Sequence, residues 1–465
     1  MVRRRHAQRT VFELLLPDAD KLWDPTLRGI DEVLDDEELV EQVAEALGRR
    51  SPRSGRLGRP GVPAEVALRM LVLKHLHDWS YDECEREVRR GLVYRAFCRI
   101  GCERVPDAKT LIRIAQVLGP EDLKAILEQL VTVARRKKLT RGLRMRVDTT
   151  VVEANIHYPT DSSLLEDGVR VLTRAVKRLS EKAGLRKIRD RTRSVGRRAF
   201  EIAQLSRRGR QEKAKIRMRA SYQELLGLTR SVVREAKTAI TKVMSGTPNG
   251  ALAAQPHIEA LTRKITDTVE LIDRVVAQTK ARVLKGDTHH PDKVLSIFEP
   301  QTEGIRKGKA AKPTEFGKLV KIQEAEGQLI TDYEVCATRV PDQSLWEPSL
   351  KAHAQRFGHP PRLAVADSGF ASAANERVAE AMGVRRVALP RRGRVSGKVA
   401  SRQKQRWFRR ALRWRTGSEG KISVLKRRHG LSRCRYQGVN GMERWVGFGV
   451  IAYDLWVLGH AGAQS

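Results

Sequence analysis

Apolar positions along this chain change period three times before the C-terminal third, and the changes divide it. From Pro63 the spacing is helical, most plainly where Leu123, Ile126, Leu127, Leu130, Val131 and Ala134 recur at i, i+3, i+4, i+7, i+8 and i+11. Ser80 and Glu83 form a capping box before one helix, and Pro106-Asp107 opens another that Gly119-Pro120 stops. The Gly-, Pro- and Arg-rich stretch Ser51-Pro-Arg-Ser-Gly-Arg-Leu-Gly-Arg-Pro60 punctuates rather than packs. Residues 1–140 therefore read as a helical domain. At Leu143-Arg-Met-Arg-Val-Asp-Thr-Thr-Val-Val152 the period drops to two, which predicts a strand ending near Asp148. After Pro159 helical spacing returns and lasts to about Leu284, broken by Ser245-Gly-Thr-Pro-Asn-Gly250. Ile258, Leu261, Ile265, Ile272 and Val276 suggest one arm of an antiparallel helical hairpin, with residues 222–243 as the other.

Strand signals resume in Lys293-Val-Leu-Ser-Ile-Phe298, Lys318-Leu-Val-Lys-Ile-Gln323 and Leu329-Ile-Thr-Asp-Tyr-Glu-Val-Cys336, the last two joined by a turn through Gly327. A helix is predicted over 344–357, a strand over 362–366, a helix over 373–382 and a strand over 385–389, giving the order β-β-β-α-β-α-β. Helices from Glu419 to Arg428 and over 443–458 close the chain. The fold class is α/β: a mixed sheet flanked by helices, an all-helical N-terminal domain over 1–140, and a long helical insertion over 160–285. The sheet domain is assembled from 141–159 and 286–465.

Charge narrows the partners. The 465 residues carry 90 Lys+Arg against 55 Asp+Glu, a net +35, which favours a polyanion and nucleic acid first. Residues 171–220 hold 18 Lys+Arg and 4 Asp+Glu, and residues 391–415 hold eleven Lys+Arg and no acid. Trp407, Phe408 and Trp414 interleave that second stretch, either to stack on unpaired bases or to anchor a basic loop on the core. The helix pair over 106–137 reads equally as a groove-entering pair or as part of a helical bundle. The most apolar stretch, 445–459, is too short to span a membrane and carries Asp454. Glu13, Asp18 and Asp20 interrupt the basic N-terminus before any apolar export segment, and five scattered cysteines suit a reducing cytoplasm. Cys98 and Cys102 lack a second ligand pair and read as small apolar residues, while His289-His290 reads as a turn.

Two aspartates end hydrophobic strands, Asp148 in Arg-Val-Asp-Thr-Thr and Asp367 in Ala-Val-Ala-Asp-Ser-Gly-Phe, where open α/β sheets gather reactive groups. Glu419 opens a helix. Three converging carboxylates need cations, and hard oxygen ligands suit Mg²⁺ or Mn²⁺ in a pair that activates a water or 3′-hydroxyl and stabilises the leaving oxygen of a phosphodiester.

In these blocks the chain resembles the DDE transposases of bacterial insertion sequences. Residues 62–118 look like their helical N-terminal domain. Arg146-Val-Asp-Thr-Thr-Val-Val152, running on through His157-Tyr-Pro-Thr-Asp-Ser162, is similar to the block of the first acid, and Val365-Ala-Asp-Ser-Gly-Phe370 to that of the second. Glu299-Pro300 and Glu315-Phe316-Gly317 stand where relatives carry similar short blocks. A Tyr-x2-Arg-x3-Glu-x6-Lys signature projects onto Arg415, Glu419 and Lys426, with Leu412 in place of the tyrosine. The resemblance implies an RNase H-like core with Asp148, Asp367 and Glu419 as catalytic, metal-binding acids for two ions. It implies Arg415 and Lys426 on DNA phosphate, and the basic stretch adds Arg391, Arg392, Arg406 and Trp407 as DNA contacts. The expected activity is metal-dependent cleavage at the element ends and strand transfer to target DNA, by a homo-oligomer in the cytoplasm. Two alternatives remain: a purely hydrolytic RNase H-like nuclease, and a catalytically silent DNA-binding protein.

Overall fold

The computed structural model describes residues 4, 23–49, 61–186, 188–207, 211–245, 255–291, 293–306, 313–393 and 396–463. The stretch 51–60, the break at 246–250 and Lys187 lie outside the described residues. In chain order the elements begin with α1 (Pro25–Leu34), α2 (Glu37–Gly48), α3 (Ala64–Leu76), α4 (Tyr81–Arg90), α5 (Leu92–Phe97), α6 (Ala108–Val117) and α7 (Pro120–Arg136), then β1 (Arg144–Glu153). Next come α8 (Asp161–Lys182), α9 (Thr192–Arg207), α10 (Glu212–Ser245), α11 (Pro256–Lys285), β2 (Glu303–Ile305), β3 (Glu315–Ala325) and β4 (Ile330–Val335). The chain ends with α12 (Trp346–Phe357), β5 (Leu363–Val365), α13 (Ala373–Ala381), β6 (Arg386–Ala388), α14 (Gly397–Lys404), α15 (Arg406–Arg428) and α16 (Val439–Ala463).

Contacts divide the chain into two units, 156–304 and the remainder, so the helices over 1–140, expected as a domain of their own, fall in one unit with the sheet. Local chemistry sets their ends. Ser80 Oγ accepts the Glu83 N–H and Glu83 accepts the Ser80 N–H in return, while Asp107 caps α6 through the Thr110 N–H. The face of α7 buried in the core is the one its spacing predicts. α16, the most apolar helix, packs against α1, α3 and α7. Its Asp454 is fully buried and accepts the Ile330 N–H at the start of β4, and burial pushes its pKa well above the ordinary carboxylate value. No helix is long and apolar enough to cross a membrane, among the described residues.

Across the sheet the order is β4, β3, β1, β5, β6, with β2 at the β3 edge. β1 pairs antiparallel with β3 from Met145 opposite Ala325 to Glu153 opposite Gly317, and β5 runs parallel to β1 and to β6. Met145, Val147, Val151, Ala364 and Ala366 bury one face with Trp346 and Leu350 of α12. On the other, Val365 and Ala388 pack on Phe408 and Ala411 of α15.

Three expectations fail for physical reasons. β1 does not end near Asp148: Thr149, Thr150, Val151 and Val152 extend the ladder with β3 to Glu153, and only the pairing with β5 stops earlier. Residues 293–298 form no strand, because the amide side chain of Gln278 takes the place of a ladder partner, accepting the Val294 N–H at 2.9 Å and donating to its carbonyl at 3.1 Å. Glu419 does not open a helix: α15 runs unbroken through Thr416, Gly417 and Ser418, and the basic stretch expected as a loop is α14 and the first half of α15.

The unit 156–304 is more than a hairpin. α10 and α11 run antiparallel, with Lys237 on Asp273 and Arg282 on the Tyr222 hydroxyl, but α8 and α9 join the same apolar core of Leu172, Leu179, Leu225, Val232 and Ile272.

Candidate active site

Residues Arg144, Met145 and Arg146 of β1 stand opposite Leu363, Ala364 and Val365 of β5. The β1–β5 pairing ends at Arg146 opposite Val365, and Asp148 and Asp367 each lie two residues beyond it, the first still in β1 and the second at the turn that follows β5. Asp367 ends β5 as expected, and its Oδ1 accepts the Gly369 N–H at 2.8 Å.

Glu419 stands on α15 and is 64% exposed at its side chain, against 16% for Asp148. Arg415, one helical turn earlier, joins them: Nη2 is 2.9 Å from Glu419 Oε1 and Nη1 is 3.6 Å from Asp148 Oδ2. A guanidinium thus stands between two of the three acids. No three His, Cys, Asp or Glu side chains close into a metal-holding group, among the described residues.

A buried charge cluster sets the rotation of α15. Arg146 Nη2 and Lys421 Nζ each lie 2.6 Å from the same Glu324 oxygen, and Lys421 also donates to the Gln328 carbonyl at 2.7 Å. Burial lowers the Lys421 pKa, with the Glu324 charge resisting. Arg146 also donates to the Trp414 carbonyl and lies over the Trp414 ring at 5.0 Å. Gly417 is the residue this permits, because a Cβ there would lie 2.7 Å from Arg146 Nη1.

Asp342 escaped the sequence reading. Its Oδ1 accepts the Thr149 hydroxyl at 3.0 Å, and a Cβ on Gly369 would meet Asp342 Oδ2 at 2.8 Å and Asp367 Oδ1 at 3.0 Å, so Asp342 stands near Asp367. Asp342 lies just outside the helix predicted over 344–357, and only the contact with Thr149 across the sheet marks it.

The expected DNA contacts separate. Lys426 lies on the Glu419 side of α15, 3.8 Å from the buried Glu315. Arg391 is spent on Glu376 at 3.2 Å, beside Arg402 at the same distance. Arg392 and Arg406 are exposed. The Trp407 ring carries Arg386 at 5.5 Å and Arg402 at 6.0 Å, and Phe408 is buried, so these aromatics anchor the helix and hold arginines. Leu412, in the tyrosine position, packs beside the same apolar cluster.

The sheet is mixed, and on α15 Arg415 joins Asp148 of β1 to Glu419. A transposase domain (DUF772) family model matches residues 13–116, and a transposase DDE domain model matches residues 291–455, which include Asp367 and Glu419. The chain is an insertion-sequence DDE transposase by family. It is also 30% identical over 128 residues to the uncharacterized protein ORF8 in the nfe locus of Rhizobium meliloti. That match takes in 26% of this chain and spans 62% of the relative's length. No solved structure matches the chain.

Proposed function

We infer that this chain binds the ends of an insertion sequence and catalyses metal-dependent DNA cleavage and strand transfer, on an RNase H-like core. The observation that supports the reading is Arg415, which stands between Asp148 and Glu419, with Asp148 and Asp367 each two residues past the end of the β1–β5 pairing. The donor set fits hard divalent cations: all oxygen, all carboxylate, and already satisfied in part by the positive charge of Arg415. Asp148, Asp367 and Glu419 are the residues to hold Mg²⁺ or Mn²⁺, two ions by the resemblance, which when bound activate a water or 3′-hydroxyl and stabilise the leaving oxygen. Arg415 holds Asp148 and Glu419 together against their repulsion and keeps further N–H groups for a phosphate oxygen.

DNA, both element end and target, is the partner, with the helices over 1–140 and the basic helical unit as further contact surfaces. Synapsis of two ends calls for a homo-oligomer, acting in the cytoplasm on the nucleoid. The test is product analysis on an end fragment with target DNA and Mg²⁺. Joined products are expected. Cleaved but unjoined products would reassign the chain as a nuclease, and binding without metal-dependent cleavage would leave a silent DNA-binding protein.

A further inference from the structure

α15 has a second functional end. A cleft of about 1210 Å³ opens where β1, β5 and β6 begin, at the opposite end of the β1–β5 pairing from Asp148 and Asp367. Its wall carries Arg144, Arg362, Arg385, Arg386, Arg406 and Arg410, all exposed, and none meets a carboxylate among the described residues. Arg391 and Arg402 nearby are different, since both close on Glu376. Six uncompensated guanidinium groups around one cleft repel one another, and a polyanion relieves that repulsion. The arginines are spread over the starts of β1, β5, β6 and α15, so an extended polyanion meets more of them than a single phosphate group does.

We propose that this cleft holds the sugar-phosphate backbone of DNA that continues away from the scissile bond, as a binding track separate from the acids. The inference rests on DNA being the substrate. Two lengths support it. From Arg144 to Asp148 the strand covers about 13 Å, and from Arg410 to Glu419 the helix covers about the same, so strand and helix run together from cleft to acids. At about 3.4 Å per base pair, four pairs bridge that distance. The tryptophans of the wall argue for backbone rather than base contact: Trp407 is covered by Arg386 and Arg402, and Trp414 by Arg146, so their faces hold arginines in place.

The test uses the full-length protein and a labelled 30-base-pair random-sequence duplex, titrated over salt. Replacing Arg362, Arg385 and Arg410 with Gln should flatten the slope of log K against log salt by about 2 to 3, near 0.9 for each phosphate no longer neutralised. The triple Lys variant, which keeps the charge, should retain the wild-type slope, and that separates a loss of charge from a loss of folding. A wild-type slope in the Gln variant would overturn the track. A slope flattened equally in the Lys variant would overturn it too, as would a changed sedimentation state with unaltered DNA binding, which would assign the cleft to an acidic face of a second copy. Failure of the parent reading looks different: the wild-type protein itself would show no salt-dependent affinity for the duplex.

Discussion

The two ends of α15 solve opposite electrostatic problems. Near its middle Arg415 is matched to Asp148 and Glu419, and beneath it Arg146 and Lys421 share Glu324, so charge of each sign finds its opposite within the protein. Toward its start six arginines line a cleft with no acid among them. A site that is to receive cations gains from carboxylates held close and only partly neutralised, whereas a site that is to receive phosphate gains from positive charge left uncompensated. One helix carries both because the buried cluster at Glu324 fixes its rotation against β1.

The sharpest way to break this comparison is at the acids. Asp148→Asn, Asp367→Asn and Glu419→Gln should each lower cleavage by about a thousandfold, several kcal/mol of transition-state stabilisation, while end binding stays within a few fold. Single-turnover cleavage in Mg²⁺ checks it, and a variant cleaving at the wild-type rate drops its residue from the site.

Acid pH should act on the cleft end. His353 donates from Nε2 to the Gly142 carbonyl, just before β1, and burial drives its pKa down to about 4. The folded value lies below the unfolded value near 6.5, so the unfolded chain takes the proton first. The stabilising contribution is therefore complete above pH 6.5 and is lost as pH falls toward 4, at on the order of 1.4 kcal/mol per pH unit. Urea unfolding between pH 7 and 5 should show this loss, reduced in His353→Gln; the same pH slope in both proteins would clear His353.

A smaller effect is expected at Arg415. Its removal in Arg415→Gln leaves Asp148 and Glu419 without their shared cation, which should cost about 1 kcal/mol and lower Tm by about 2 °C in chelator. Mg²⁺ should raise Tm in the wild type, less so in Asp148→Asn, and should recover most of the loss in Arg415→Gln. Equal Mg²⁺ shifts in the wild type and Asp148→Asn would place the ion elsewhere.

The least change in selectivity is expected from the helical unit. Gln at Arg186, Lys187, Arg189, Arg193, Arg197 and Arg198 should flatten the salt slope by a few units with little change in preference for the element end over random DNA. Arg198 is bound by Glu201 and Glu224, so the other five should carry the effect. A slope that does not move would mean that these charges only keep the unit soluble.

Much of the architecture is readable from local chemistry. The apolar face of α7, the capping box at Ser80, the hairpin through Gly327 and the strand before Asp367 all depend on neighbours within a few residues. What escaped depends on partners far along the chain. Gln278 displaces a strand at 293–298, Arg146 leaves room for no side chain at Gly417, and β3 extends β1 beyond Asp148. For the candidate site, the sequence offered Asp148, Asp367 and Glu419 as candidates. The pairing of Arg415 with two of them, the approach of Asp342 and the separate arginine cleft were not, because sequence spacing says nothing about which side chains meet across a sheet.

The placement of the helical unit between β1 and β3 also sets an order of events. The central pairing of the sheet joins Met145 to Ala325, and the parallel pairing joins Arg144 to Leu363, so neither can form until residues 156–304 have been synthesised. Those intervening residues make their own helical contacts with near neighbours in sequence, which form fast, whereas the sheet must close a long loop. On the ribosome the basic helices should therefore collapse first, bringing the ends of that loop under control, and the carboxylates should meet last. A truncated chain stopped before Ile330 would then present arginine-rich helices with no assembled cutting centre.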